Sequence, residues 1–476
     1  MKVKFILPAL KEAKSPFWRP IKYSLFPPLG LATLATWLND ECQATIVDEH
    51  VQELTFEDKP DLVVIQVYIT NAKRAYCIAD IYRAKGSYVI LGGLHVTTLP
   101  EEAEKHADTI FLGPGEDTFP KFLKDFKNKS TLKRYYSTQR TLGNLKLPRR
   151  DLINRDLYFV PNSLVISRGC PHNCSFCYNK SFYKGGKSFY TRRIDKALEE
   201  IESLPGKHLY FLDDHLFGDS KYIKELFFSM RGMDRVFQGA ATVESILKDD
   251  TINHAVHAGL RSLFVGFETL SPENLKSANK NHNLGNDYKK AIEKLHSLGV
   301  MINGSFVFGL DNDDKDVFKR TVDWAINNGI TTATFHILTP YPGTTLFDQL
   351  QRQNRILTTD WDLYDTRHTV YQPVKLSIQE LEQGYNYAYK EFYKWKSIFK
   401  NARAHKSLKS TLKKFAYTAA WKKFEPVWNF LIKTKSLKYI RPLLEKVLHT
   451  NKKTNKKSIE GNLKPLAEDN YYEKVV

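Results

Sequence analysis

The sequence predicts an α/β protein: a Rossmann-like open parallel sheet, then a partial (β/α)6 barrel of TIM type, then a helical C-terminal region. Three observations predict it. Short apolar strands alternate with amphipathic helices over residues 1–140, a strand–helix unit recurs six times within residues 155–355, and residues 356–476 turn helical and basic. Strands that alternate with helices pair in parallel, because each crossover helix must cover the sheet it leaves. A chain of 476 residues is long enough for two or three such cores.

In the first region Val3 to Leu7 reads as a buried strand, followed by a helix from Pro27 to Leu38 whose prolines sit at its start, where a missing N–H costs nothing. Ala44 to Val47, Asp61 to Gln66, Tyr88 to Leu91 and Thr109 to Leu112 are further strands, and Asn71 to Gly86 is an amphipathic helix. Cys42 and Cys77 are read as core residues, the usual role of a buried free thiol. The strands end in glycine turns: Leu91-Gly92-Gly93-Leu94-His95 and Gly113-Pro114-Gly115-Glu116. In an open α/β sheet ligands bind beyond such carboxyl ends.

The barrel strands begin near Leu164, His208, Phe237, Ser262, Val300 and Thr332, with helices at Ile194 to Leu204, Tyr222 to Met230, Asp287 to Leu298 and Asp316 to Asn328. Right-handed crossovers close the series into an arc, and chemistry belongs at the carboxyl ends of its strands. Asp213 and Glu268 end the second and fourth strands. Acids at such positions either hold a cationic ligand or cap the next helix.

The net charge of +18 is concentrated in the tail: residues 390–457 hold twenty Lys and Arg against Glu391, Glu425 and Glu445. Aromatics recur among these lysines, from Tyr385 and Trp395 to Trp428 and Phe430. The segment is read first as a helical cap on the barrel, then as a surface for anionic membranes. Nucleic acid is disfavoured, since no known binding module is evident. Residues from Lys452 onward lack apolar periodicity and are expected to be disordered. No apolar run approaches the ~20 residues of a membrane span, and Phe5 to Leu10 is too short for a signal-peptide core. A cytoplasmic protein is expected, with peripheral contact at the inner membrane face left open.

Cys170, Cys174 and Cys177 follow the first barrel strand in a C-x-x-x-C-x-x-C spacing, with Phe176 before the last thiol. Three thiolates can hold three irons of a four-iron cluster and leave the fourth open. A structural zinc site needs a fourth ligand, such as His172, and closed tetrahedral geometry; the spacing suits it poorly. The segment resembles the signature of the radical S-adenosylmethionine (SAM) enzymes. Pro27-Pro28-Leu29-Gly30 and the two glycine turns resemble the cobalamin-binding domain that precedes many of their barrels. The blocks Gly239 to Val243, Gly266 to Leu270, Leu338 to Thr344 and Trp361 to Asp365 resemble the cobalamin-linked branch, which includes hopanoid and bacteriochlorophyll side-chain methylases. Two departures stand out: Leu212-Asp213-Asp214 where that family often has Gly-Gly-Glu, and a loose form of the adenine motif at Gly304 to Leu310.

The resemblance implies a 4Fe-4S cluster on the three cysteines and SAM on the open iron, held by Phe176, Asp213, Glu268 and Gly309. It implies cobalamin over Gly30, Gly92, Gly93, His95, Gly113, Gly115 and Glu116. The implied activity is methylation of an unactivated carbon on a bulky lipid or tetrapyrrole-like substrate, with a flavodoxin or ferredoxin as electron donor. Two alternatives stay open. One is a non-methylating oxidation, cyclisation or rearrangement, as in the anaerobic magnesium-protoporphyrin ester cyclase; the other is a non-catalytic cobalamin or redox sensor. Asp48-Glu49-His50 begins like a cobalt-ligating D-x-H-x-x-G motif, but Glu53 stands where that motif has glycine and His50 follows the second strand rather than the first. Cobalamin is therefore expected to bind without a histidine lower ligand.

Overall fold

The computed structural model describes residues 1–11, 24–143, 145–403 and 408–423, with scattered residues between 427 and 442. Its first sheet contains β1 (Lys2–Leu7), β2 (Gln43–Asp48), β3 (Leu62–Gln66), β4 (Tyr88–Gly92), β5 (Thr109–Leu112) and β6 (Arg134–Tyr136). All pair in parallel in the order β2-β1-β3-β4-β5-β6. The order reverses between β1 and β3, which opens a crevice beyond the carboxyl ends. β1 and β3 are buried along nearly their whole length, as strands covered on both faces must be. β6 is new to the structure, its three residues being too few to show alternation in the sequence.

A short strand β7 (Ser163–Leu164) opens the second sheet, and β8 (Ser167–Gly169) pairs antiparallel with β9 (Phe189–Thr191) beside it. The sheet continues with β10 (His208–Phe211), β11 (Val236–Ala241), β12 (Leu260–Glu268), β13 (Met301–Phe308) and β14 (Thr332–Ile337). The order β14-β13-β12-β11-β10-β7 is sequential and parallel throughout, giving the six-stranded partial barrel. Side chains alternate across its faces. Phe237, Val265, Phe267, Phe306 and Phe335 are buried against the outer helices, whereas Gln238, Phe264, Asn303, Thr334 and His336 are half-buried on the concave face.

Strand β14 has a free edge, and the helix Ile378–Phe392 with the residue after it covers that edge. The Tyr389 hydroxyl accepts from the Phe335 amide and donates to its carbonyl, both at 3.2 Å. The Tyr393 hydroxyl does the same for Ala333 at 3.1 and 2.8 Å. Two tyrosines thus stand in for a seventh strand. Tyr393→Phe leaves a buried N–H and C=O unpaired, and we expect it to lower stability by about 2 kcal/mol, seen as an earlier midpoint in urea unfolding.

The helices Trp395–Arg403 and Leu408–Lys423 pack under the barrel. Asn401 donates to the Ile330 carbonyl, Thr418 to that of Thr331 at 2.8 Å, and Tyr417 lies against Val236 and Met301. These residues sit at the amino ends of the strands, so the basic helices close the bottom of the barrel. The helical cap is seen as far as residue 423; the stretch from Lys452 lies outside the described residues. Trp361, Tyr364 and Val370, just past the barrel, return to the core of the first sheet. One core expectation is corrected. Cys77 is exposed, because the buried face of the helix Ala72–Ala84 runs through Ala75, Tyr76, Ile78, Ala79 and Tyr82 and Cys77 falls just off it. Cys42 is half-buried at the edge of the core.

Candidate active site between the two sheets

The cysteine loop starts where β8 ends. Gly169 has φ +79°, a conformation open to glycine at little cost, and a Cβ there would overlap the Ser188 carbonyl oxygen. The Cys170 amide donates to that same carbonyl at 3.0 Å. Further along, the Ser175 amide donates to the Ala278 carbonyl, the Leu346 amide to the Ser175 carbonyl, and the Asn279 amide group to the Asn173 carbonyl at 2.7 Å. Three separate segments therefore fix the loop that carries Cys170, Cys174 and Cys177. Burial pushes the Cys170 thiol up to about 11 and Cys177 up to about 12, which favours the protonated thiols; binding of a metal by thiolates releases those protons.

Among the described residues no three His, Cys, Asp or Glu side chains gather round a single metal position. A closed zinc site asks for that, whereas a cuboidal cluster takes one thiolate per corner. His172, the zinc reading's fourth ligand, instead stacks on His282 with ring centroids 3.7 Å apart and meets His215 edge-on at 5.1 Å. Burial, with Lys280 adding to it, lowers all three imidazoles, His215 and His282 to about 3. The donor set fits an iron–sulfur cluster.

The two acids chosen from the sequence take different roles. Asp213 is buried and accepts from the Ile166 amide at 3.1 Å, the Ser167 hydroxyl at 2.6 Å and the Ser167 amide. It braces the chain ahead of the cysteines and does not line the cavity described below. Its neighbour Asp214 does, accepting from the Gly169 amide at 2.9 Å, Tyr178 at 3.2 Å and Tyr183 at 3.3 Å. The ladder between β12 and β13 shifts register between Gly266 and Glu268, and Glu268 has φ +63°. Such a bulge re-aims a side chain. Here it carries the carboxylate to Lys280 at 2.8 Å. Burial works against the charge of Lys280, but Glu268 and then Cys174 more than offset it and raise it above the ordinary lysine range. Phe176 packs near Leu310, Leu338 and Tyr371. Gly309 follows β13 with φ +95°, and its carbonyl accepts from Tyr371.

Burial pushes Asp213 up to about 7, against the hydrogen bonds that favour its charge. A carboxyl raised in the folded state binds more protons there than in the unfolded chain. It therefore contributes stability that is fully present at acid pH and lost as pH rises through about 7. Asp213→Asn is expected to flatten that slope between the ordinary carboxyl range and neutrality, measured as urea midpoint against pH for both proteins.

A cavity of about 620 Å³ lies beyond the carboxyl ends of both sheets. Gly30, Gly92, Gly93, Gly113, Gly115 and Glu116 line one side; Arg168, Tyr178, Asp214 and Tyr341 line the other. Gly93 has φ +119°, and a Cβ there would stand 2.7 Å from the Val67 carbonyl oxygen, so the turn that bounds the cavity requires glycine. Glu116 reaches across to Arg168, Oε1 to Nη2 at 2.8 Å, tying the glycine loop of the first sheet to the strand that precedes the cysteines. The space is large, mostly apolar and bounded by close backbone turns, which fits a flat cofactor such as cobalamin.

His95 is not among the lining residues. It is fully buried, bonded to Glu102 at 2.9 Å and edge-on to Trp361, because its helix turns it into the core. His50 is likewise buried, held by Asp48 at 2.8 Å. No histidine lines the cavity among the described residues. The cobalt(II) form is expected to lack nitrogen superhyperfine coupling in its EPR spectrum; its presence would overturn the histidine-free assignment. The fold also brings Tyr68, Thr366 and Lys280 to the site. Tyr68 and Thr366 line the cavity, and Thr366 has φ +66°, an outlier for a β-branched residue, while its hydroxyl meets His336 at 3.2 Å. No local sequence pattern marks any of the three.

Residues 164–325 match the radical SAM superfamily, and residues 23–123 match the B12 binding domain. The bacteriochlorophyllide d C-12(1)-methyltransferase of Chlorobaculum tepidum is 32% identical over 393 residues, covering 78% of this chain and 84% of that protein. This chain belongs to the cobalamin-binding radical SAM family. Membership makes it a radical SAM enzyme whose cofactors are a 4Fe-4S cluster, SAM and cobalamin. The family also includes the hopanoid C-2 methylase of Rhodopseudomonas palustris, 24% identical over 363 residues, 71% of this chain and 66% of that protein. The cobalamin-dependent SAM radical enzyme OxsB, solved with aqua-cobalamin and SAM bound, shares the fold with a TM-score of 0.65 at 15% identity, over 94% of this chain and 76% of OxsB.

Proposed function

We propose that this enzyme methylates an unactivated carbon of a bulky tetrapyrrole- or lipid-like molecule. One observation carries the proposal: a single cavity joins the glycine turns of the first sheet to the barrel residues that flank the cysteines. Methyl transfer to carbon needs the radical source and the methyl carrier within reach of one substrate, and a shared cavity supports that. When bound, the cofactors supply the radical and the methyl group.

The chain's own residues do the rest. Cys170, Cys174 and Cys177 hold the cluster, and the glycine turns let the backbone approach the corrin ring. Asp214, anchored on Gly169, Tyr178 and Tyr183, presents a fixed carboxylate to the cationic end of SAM. When SAM is bound, Phe176 would offer its ring to the adenine, and Glu268 and Gly309 would help to hold the rest of the molecule. The concave face offers Gln238, Asn303, Thr334 and His336 among apolar Phe264 and Val307. These hydrogen-bonding groups among apolar side chains suit a mostly apolar substrate with a few polar edges.

The net reaction joins one C–H, two SAM and two electrons, and yields the C-methyl product, methionine, 5′-deoxyadenosine and S-adenosylhomocysteine. A flavodoxin or ferredoxin supplies the electrons. The enzyme would act in the cytoplasm, with its basic helices against the inner face of the membrane. Product counting tests the reaction: deoxyadenosine and S-adenosylhomocysteine should form one to one with methylated product. Deoxyadenosine with product but no S-adenosylhomocysteine would mean a non-methylating reaction.

A further inference from the structure

We propose that the exposed face of the helix pair under the barrel is a docking surface for an anionic lipid bilayer. The inference rests on the peripheral location proposed above and not on methylation. Of the thirteen exposed large hydrophobic side chains among the described residues, Trp395, Phe399 and Leu412 lie on this helix pair, and Val427, Phe430 and Tyr439 follow it in the chain. Single exposed apolar residues are ordinary on any surface, but a concentration of them marks an interaction site.

The helix Trp395–Arg403 shows how the patch is built. Ile398, Asn401 and Ala402 are buried against the barrel, which leaves Trp395 and Phe399, one turn apart, pointing out at 53% and 52% exposure. Phe415 of the neighbouring helix approaches both rings, at 5.9 and 6.4 Å. Cations border the aromatics: Arg403 lies over Phe399 and Lys423 over Trp395, each at 5.5 Å, and Lys396 and Lys400 are exposed beside them. Aromatic rings ringed by Lys and Arg are what a headgroup interface receives. The occupant follows from charge. Residues 390–457 carry twenty basic side chains against three acids, and each cation near an anionic leaflet adds attraction.

Placement adds a consequence. The patch sits at the amino ends of the barrel strands, opposite the cofactor cavity, so docking there tethers the enzyme while its substrate mouth faces away from the bilayer. The surface then raises local concentration and does not pass the substrate directly from lipid into the barrel.

The test uses the full-length chain and vesicles of phosphatidylglycerol with phosphatidylcholine, against phosphatidylcholine alone. Binding to the anionic vesicles should exceed binding to the neutral ones by at least about tenfold and fall in high salt. Trp395→Ala with Phe399→Ala, and separately Lys400→Glu with Arg403→Glu, should each lose most of that binding with iron and corrinoid content unchanged. Undiminished vesicle binding by both variants would overturn the proposal. So would absent vesicle binding together with a dimer that these substitutions dissociate, or with salt-sensitive binding to RNA.

Discussion

Cys170→Ala, Cys174→Ala or Cys177→Ala is expected to reduce bound iron to background and abolish SAM cleavage, while the apolar cores of both sheets stay intact. On the proposed assignment each thiolate would hold a different corner of the cluster, so two could not do the work of three. None of the three belongs to the large core of the barrel, so each loss reads as chemistry and not as unfolding. Iron analysis and deoxyadenosine yield on anaerobically reconstituted protein check this, with far-ultraviolet circular dichroism as the control for folding. The zinc alternative predicts instead that a variant losing its metal also loses secondary structure.

Gly169→Ala should be nearly as damaging without touching a ligand. Alanine at φ +79° costs about 1–2 kcal/mol from the backbone alone, and its methyl would overlap the Ser188 carbonyl. That carbonyl accepts from the Cys170 amide, so relief of the overlap moves Cys170. We expect a stability loss of at least about 2 kcal/mol and an iron content well below that of the wild type. Gly232→Ala is a fitting control. It has a comparable positive φ of +90° but open space around its Cβ, and should keep its iron.

Much of this architecture was legible in the chain because it rests on periodicity. The barrel strands begin close to their expected positions, since each alternates a buried outer residue with a concave one and ends before a polar turn. The cysteine spacing stands out because three thiols so close together have few other uses. What escaped the sequence is set by tertiary placement. Asp213 and Asp214 are adjacent in the chain, and only the fold shows that the first braces Ser167 while the second faces the cavity. His95 lies in a glycine turn like a ligand contact, yet its short helix turns it inward to Glu102. Lys280 and Thr366 reach the site from loops with no local motif. The tyrosines of the helix after the barrel looked like part of an aromatic, basic tail, and Tyr389 and Tyr393 proved to seal the edge of β14.

The proposed function requires cobalamin and a radical-generating cluster to sit together in this chain. Anaerobic purification followed by cluster reconstitution, with iron and corrinoid measured by absorbance and mass spectrometry, tests it most directly. About four irons and one corrinoid per chain are expected. Four irons with no corrinoid retained, even after incubation with cobalamin, would contradict that requirement and leave a radical SAM enzyme without a methyl carrier.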